Sequence, residues 1–480
     1  MTGEPITRRD FMRQAGALSA GIALGACAAP SAGEAARDDS RPNILFVIAD
    51  DWSYPHAGVY GDSVSRTPAF DKIASEGVLF TNAFCASPSC TPSRGAILTG
   101  QAIHRLEEGA HLHSILRPKF AVYPELLQNA GYTVGFTGKG WSPGSVKQSG
   151  RKENPAGPKF AGFAKFLKTV PAGKPFCFWF GSVNPHRPYE KGSGAASGLR
   201  PEQVKVPPFL PDTPEVRGDI LDYYREVQLF DEQVAGLMKQ LEESGRARNT
   251  ILVVTSDNGM PFPRAKTNLY DCGTHMPLAI RWPAKAKAGC KVDDFVSFTD
   301  FAPTFLEAAG LKPLPAMTGD SFLDTLISGK SRGDDAVYLE RERHTNCRPN
   351  NGSYPMRAIR TKDHLYVRNL RPDRWPVGDP GGDRPYADID ASPSKDIVTA
   401  GKDDKSIATF YKLACAKRPS EELYDLAKDS WQLTNVADDP AYADAKRKLS
   451  AQLLKWMTDT RDPRALHDDD RWDAYPIARD

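Results

Sequence analysis

The run Asn43–Ala49, NILFVIA, is β-forming and apolar after its first residue, and it ends directly on Asp50 and Asp51. A strand with no polar alternation must be buried on both faces, which is the condition of a central strand in a parallel sheet. A second such run, residues 251–256, ends on Asp257-Asn258-Gly259. Similar runs recur at 134–137, 176–182 and 278–281, with helical patterns between them, and that alternation indicates an α/β domain. The longest helix is expected over about 218–245, where Ile220, Tyr224, Val227, Phe230, Val234, Leu237 and Leu241 recur at three- and four-residue steps before Gly245.

After about Gly329 the texture changes. Short β-like segments at 336–340, 356–360 and 364–367 are separated by polar loops and predict a smaller sheet, with a terminal helix over about 441–459 packed on it. Residues 373–405, rich in Pro, Gly, Asp and Ser, read as a long surface excursion. The expected division is a catalytic domain over 41–330 and a C-terminal subdomain over 331–480. At 480 residues a sizeable core is available. The 62 Lys and Arg nearly cancel the 60 Asp and Glu, so no overall field draws the chain to nucleic acid or an anionic membrane, and an anionic partner has to be recognised locally.

The N-terminus stands apart. Thr7-Arg8-Arg9-Asp10-Phe11-Met12 precedes a small-residue apolar stretch, 15–26, that is too short to span a membrane. It resembles a twin-arginine export signal, and Leu24-Gly25-Ala26-Cys27 resembles a lipobox; the alternative is ordinary signal-peptidase cleavage in the Ala-rich stretch that follows. Residues 1–27 are therefore expected to be read by the twin-arginine export machinery and 28–40 to be a flexible tether. The mature protein would be periplasmic, or anchored to a membrane by a lipid on Cys27. Of the other cysteines, Cys85, Cys177, Cys272, Cys290, Cys347 and Cys415 show no compact disulfide framework and no zinc-like pairing.

Asp50, Asp51, Asp257 and Asn258 follow two buried strands, at the carboxyl edge where α/β sheets place their ligand sites. Three carboxylates and one amide oxygen make a hard donor set that suits calcium or magnesium and not zinc. Each pair alone is more often a turn or capping sequence than a ligand pair. Their joint placement favours a metal site.

The most specific motif is Cys90-Thr91-Pro92-Ser93-Arg94-Gly95 followed by Leu98-Thr99-Gly100. It resembles the signature of type I sulfatases. That resemblance implies an alkaline-phosphatase-like mixed sheet flanked by helices, with a smaller C-terminal antiparallel sheet. It also implies that a formylglycine-generating enzyme oxidises Cys90 to formylglycine, and that Asp50, Asp51, Asp257, Asn258 and the modified Cys90 hold a calcium ion, with magnesium as the alternative. On the same ground Arg94 stabilises the nucleophile, Lys139 and Lys266 contact sulfate, and His186, in Asn184-Pro185-His186-Arg187-Pro188, is the proton donor. One position departs: members commonly carry a histidine two residues after the lysine, where this chain has Trp141, so another base is needed, from among His104, His111, His113 and His275, or the turnover step differs.

Three longer segments resemble the heparan N-sulfatase (sulfamidase) branch: Thr255 through Pro263, Thr267 through Tyr270, and Ser353 through Arg357. They imply a sulfated saccharide substrate with N- or O-linked sulfate. Two other readings stay open: a phosphonate or phosphodiester hydrolase of the same superfamily, and a sulfoglycan-binding relative without turnover.

Overall fold

The computed structural model describes residues 41–467 and 469–480. The expected export signal and tether lie outside the described residues. Strand β1 is Asn43–Ala49, with every residue buried. Its Ile44, Phe46 and Ile48 enter one apolar core while Leu45, Val47 and Ala49 enter another on the opposite face. That is the two-residue side-chain period of a strand covered on both sides.

The large sheet also contains β2 Val78–Phe84, β3 Thr133–Gly138, β4 Phe176–Gly181, β5 Thr250–Ser256, β6 His275–Arg281 and β7 Cys290–Ser297. Their order across the sheet is β3-β4-β1-β5-β6-β2-β7. Strands β3, β4, β1 and β5 are parallel, whereas β6 runs against both β5 and β2, so the sheet is mixed. Strands β2 and β7 are absent from the sequence expectation, for a local reason. Thr81 and Asn82 interrupt the apolar run of β2 at a register shift, and β7 carries Lys291, Asp293 and Asp294 among its apolar residues.

Register decides where the loops go. Ala49 lies opposite Ser256, Ile48 opposite Gly181, and Gly181 opposite Gly138. The parallel strands therefore end at one level and deliver the residues that follow them to one edge. Two glycines make this possible at β3 and β4. Gly138 has φ +71°, and a Cβ on it would lie 2.0 Å from the Gly181 carbonyl oxygen; one on Gly181 would lie 1.7 Å from the Lys139 carbonyl oxygen. Only bare backbones can approach this closely, and the approach lets Lys139 N donate to Gly181 O at 2.8 Å.

The long helix is Pro214–Glu243, one turn earlier than expected, because the Thr213 side chain accepts from Val216 N and Pro214 occupies the first helical position. It ends before Gly245, whose φ is +66°.

The second sheet is antiparallel throughout, in the order β11-β10-β9-β8, from β8 Ala336–Arg341, β9 Met356–Thr361, β10 His364–Asn369 and β11 Glu421–Asp425. The helix Ala443–Asp459 places Leu449, Leu453 and Met457 on Ile359, Tyr366 and Leu423. Val337, Leu339, Ala358 and Val367 cluster with Phe84, Leu269, Tyr270 and Phe295, so the two sheets share a core. The reading of 373–405 as a surface excursion is corrected. Val377, Asp388, Ile389 and Val398 are buried, and 393–400 forms a helix capped by Ser392. A Pro- and Gly-rich composition signals the absence of regular structure and not exposure.

Candidate functional site

Asp50 and Asp51 leave β1, and Asp257 and Asn258 leave β5, at adjacent positions on the sheet edge. Their backbones are cross-tied: Asp257 N donates to Ala49 O at 3.2 Å, Asp51 N to Asp257 Oδ1 at 3.1 Å, and Trp52 N to Ser256 Oγ at 2.7 Å. Asp51 is held at φ +76°, a conformation that costs free energy for a residue with a Cβ and persists where the surroundings over-determine it. Cys90 is the first residue of the helix Cys90–Thr99, which is buried along its whole length beneath this edge. Cys90 Sγ lies 3.5 Å from Asp50 Oδ1.

One ligand atom from each of Asp50, Asp51, Cys90 and Asp257 lies within 4.8 Å of the others, and all four residues are buried. Asp51 Oδ1 and Asn258 Oδ1 are buried oxygens with no hydrogen-bond partner. Buried carboxylate and amide oxygens are rarely left so. A hard cation supplies what such oxygens lack, so the donor set fits the metal expected from the sequence.

Three fixed cations surround the acids. Lys139 Nζ reaches Asp50 Oδ2 at 2.6 Å, and Lys266 Nζ reaches Asp51 Oδ2 at 2.8 Å and Asp390 Oδ2 at 3.0 Å. Arg94 Nε donates to Asp257 Oδ2 at 2.7 Å, and its Nη1 donates to the carbonyls of Lys139 and Gly140 at 2.7 and 3.0 Å. Its Nη2 is buried, 3.8 Å from Asp50 Oδ1 and without a hydrogen bond. Burial works against charge on every one of these groups, and the pairing decides the outcome. Burial pushes Asp50 up, but Lys139, His186, Arg94 and Lys266 outweigh it and hold the carboxyl well below its ordinary range. At Asp51 burial prevails over Lys266 and His186, raising the carboxyl to about 6. Burial lowers Lys139, but the negative charge of Asp50, Cys90 and Asp257 together outweighs it and raises the ammonium to about 12. The Cys90 thiol is pushed up by burial, so the encoded side chain is a poor thiolate nucleophile.

His186 sits at the rim, its side chain 35% exposed and its Nε2 3.9 Å from Asp51 Oδ2. Its Nδ1 donates to the Arg187 carbonyl at 2.5 Å, which turns Nε2 toward the site. Arg187 anchors the turn through a two-pronged contact with Asp219 on the long helix, at 2.7 and 2.8 Å. The structure thus brings Asp50, Asp51, Cys90, Arg94, Lys139, His186, Asp257, Asn258 and Lys266 to one edge.

Trp141 is 1% exposed and belongs to the apolar core that includes Leu106 and Leu116, with its indole nitrogen 3.6 Å from where a Cβ on Gly95 would lie; its backbone N–H and C=O exchange hydrogen bonds with the Asn154 amide. Of the four histidines weighed against its loss, His104 and His275 are committed to other partners. His104 bonds Glu340 and the Thr460 carbonyl. His275 stacks between Tyr54 and Phe84. His111 is buried beside Tyr475, and His113 lies on the chain segment that pairs with residue 478. The histidine beside the nucleophile is one the sequence reading missed: His344 Nδ1 lies 2.8 Å from the hydroxyl of Ser89, the residue before Cys90. Asp390 was missed likewise. Both come from the C-terminal part of the chain, with no motif around them to mark them.

Asp388 fixes this added lip. Its Oδ2 accepts from Arg341 and Arg348 at 2.7 and 2.5 Å, and its Oδ1 accepts from the backbone and hydroxyl of Thr345, both at 2.8 Å. Asp390 and His344 are each within two residues of these bonds.

Comparison with known proteins agrees with this geometry. Residues 42–311 match the sulfatase family model, and residues 264–382 match that of the N-sulphoglucosamine sulphohydrolase C-terminal region. The human N-sulphoglucosamine sulphohydrolase is 31% identical over 88% of this chain and 91% of its own. An ulvan-active sulfatase of Formosa agariphila is 30% identical over 87% of this chain and 80% of its own. Among solved structures, BT4656 in complex with its substrate D-glucosamine-2-N,6-O-disulfate superposes with a TM-score of 0.63 at 21% identity, covering 88% of this chain and 98% of that one.

Removing the Asp388 carboxylate would strand two buried guanidinium groups. Asp388→Ala is therefore expected to lower unfolding free energy by about 3–5 kcal/mol, the usual cost of breaking a buried pair from one side. Urea denaturation checks this; a loss below about 1 kcal/mol would mean that Arg341 and Arg348 find other partners and that Asp388 does not hold the lip.

Proposed function

This chain belongs to the sulfatase family and is a sulfuric ester hydrolase acting on sulfated saccharides, and from that premise we propose that it works through a formylglycine made from Cys90 and a calcium ion. The observation that carries the proposal is the packing of Cys90 against Asp50, with Lys139, Lys266 and Arg94 around them. Cys90 Sγ marks the place from which the oxidised group would act. Hydrated formylglycine supplies two hydroxyls on one carbon, one to attack sulfur and one whose deprotonation expels sulfate. Asp50, Asp51, Asp257 and Asn258 would hold the cation, which supplies charge against the sulfate oxygens and favours the ionised form of Asp51.

The chain's own side chains do the rest. Lys139, Lys266 and Arg94 present fixed positive charge to a sulfate group in a largely buried site, where such charge acts more strongly than in water. His186, with Nδ1 committed to the Arg187 carbonyl, presents Nε2 at the rim where the sugar leaves, and as the imidazolium it would donate its Nε2 proton there. Trp141 is buried and its indole does not serve as an acid. The relatives act on N-sulphoglucosamine and ulvan by name, which supports a sulfated sugar with N- or O-linked sulfate as substrate for this chain. Export by the twin-arginine route, with conversion of Cys90 before export and lipid attachment at Cys27, completes the proposal.

Sulfate release from a panel of N- and O-sulfated saccharides tests the activity and identifies the linkage. Cys90→Ala should abolish it, and peptide mass spectrometry of active enzyme should find formylglycine at position 90; active protein carrying only cysteine there would refute the mechanism. His186→Ala should slow saccharide sulfates by about 100-fold more than 4-nitrophenyl sulfate, whose leaving group needs no proton. Equal losses on both substrates would assign His186 to sulfate orientation instead.

Chelation should lower the melting temperature of the wild-type protein, because a cation bound only to the folded state stabilises it. Asp257→Ala should melt at the same temperature with or without chelator. A wild-type melting point indifferent to chelation would remove the metal from the proposal.

Cell fractionation checks the anchor. Cys27→Ser is expected to move the protein from the membrane to the soluble fraction, and a native N-terminus downstream of Cys27 would establish ordinary cleavage instead.

A further inference from the structure

Among the buried acids, Asp51 depends most on its backbone. Its Oδ2 is held by Lys266, whereas its Oδ1 has no hydrogen-bond partner. The place of that free oxygen is therefore set largely by the main chain, which at Asp51 sits at φ +76°, where a residue with a Cβ does not rest unaided. Rotation about N–Cα carries Cβ and the carbonyl carbon together. With Asp51 N pinned on Asp257 Oδ1 at 3.1 Å, whatever holds the carbonyl side also decides where the carboxylate points.

The peptide that joins Asp51 to Trp52 is planar, so its C=O and N–H turn as one body. Its N–H donates to Ser256 Oγ at 2.7 Å. Its C=O accepts from the hydroxyl of Tyr223 at 3.3 Å, and the same hydroxyl accepts from Ser53 N at 3.1 Å. One phenol oxygen thus bridges the chain from Asp51 to Ser53, immediately after the strained torsion. Ser53 is fixed in turn, since its Oγ accepts from Met260 N at 2.6 Å and donates to the Cys272 carbonyl at 2.7 Å.

The anchors differ in origin. Ser256 and Asp257 stand at the end of β5, within the edge they stabilise, but Tyr223 stands on the long helix Pro214–Glu243. Its ring is fully buried, edge-on to Phe262 at 5.6 Å, in the core that includes Trp52 and Met260. A phenylalanine would fill that space as well. A hydroxyl in such surroundings costs free energy unless it is bonded, and here both of its bonds go to the backbone that carries Asp51.

We infer that Tyr223 is a positioning residue for the cation site: its hydroxyl holds the Asp51–Ser53 backbone in the conformation that aims the Asp51 carboxylate at the ion. The inference rests on the metal reading above and adds to it a residue of the long helix that acts only through its neighbours. Removing a partner of this kind typically costs roughly 10- to 100-fold in metal affinity.

Tyr223→Phe removes the one oxygen and keeps the ring. Tyr224→Phe, the same change one residue along, is the control; that side chain packs beside His56. Purified protein is stripped with chelator and titrated calorimetrically with calcium, or with magnesium where calcium gives no heat. Each variant is measured below its melting point in chelator, so that only folded protein is compared. Tyr223→Phe should bind the ion about 10-fold more weakly than wild type, with Tyr224→Phe unchanged. A merely structural role would not give this result, because a variant that only melts earlier binds the ion as tightly while it is folded. Wild-type affinity in Tyr223→Phe, or equal losses in the two variants, would overturn the positioning role and leave the metal reading intact. If the wild-type protein binds neither ion, the metal reading falls, and the positioning role falls with it because Tyr223 then has no ion to serve.

Discussion

Everything at this site depends on keeping three carboxylates buried at the end of two adjacent strands. Asp50, Asp51 and Asp257 are each at most 2% exposed, and isolated carboxylates in such surroundings would take up protons. Lys139, Lys266 and Arg94 offset that cost by direct contact, fully at Asp50 and only in part at Asp51, and each arrives from a different element. The same charges that stabilise the acids are those a sulfate would meet. Folding and function are therefore served by one electrostatic arrangement, and a change that disturbs either side of it disturbs both.

The parts legible in the sequence are those governed by local periodicity and short motifs. β1 could be read to the residue because NILFVIA has no polar position to place outward. The ends of β1 and β5 were legible as a ligand edge because acids follow both strands directly, and register then brings Ala49 beside Ser256. Strands β2 and β7 were not, since polar residues interrupt them and their apolar positions are set by neighbours that sequence does not display. The segment 373–405 misled for a related reason: nothing in its composition shows that Asp388 answers two arginines forty or more positions away in sequence.

Trp141 illustrates how a motif can be read correctly while its consequence is not. The sequence marks the position after Lys139-Gly140 as a departure and offers His104, His111, His113 and His275 as substitutes. The structure instead places Trp141 in the apolar core and brings His344 to Ser89 across 255 residues. Only the packing of the second sheet against the first makes those two residues neighbours.

That packing divides the work between the two parts of the fold. The sheet edge of the first part supplies the nucleophile, the acids and most of the cations, held by strand register that a small shift would destroy. The second part supplies Asp390 and His344 on loops. It is clamped to the first where Glu340 N donates to the Ala86 carbonyl and the Glu340 carboxylate accepts from Ile103 N and pairs with His104. Buried pairs from Arg357 to Asp462 and from Arg464 to Glu342 fix the end of β8 from behind. Loops on such a clamp can change sequence without moving the strand ends. Chemistry set by register and recognition set by a clamped lip can then vary independently, which is why residues 341–390 are where the selectivity of this chain is expected to be written.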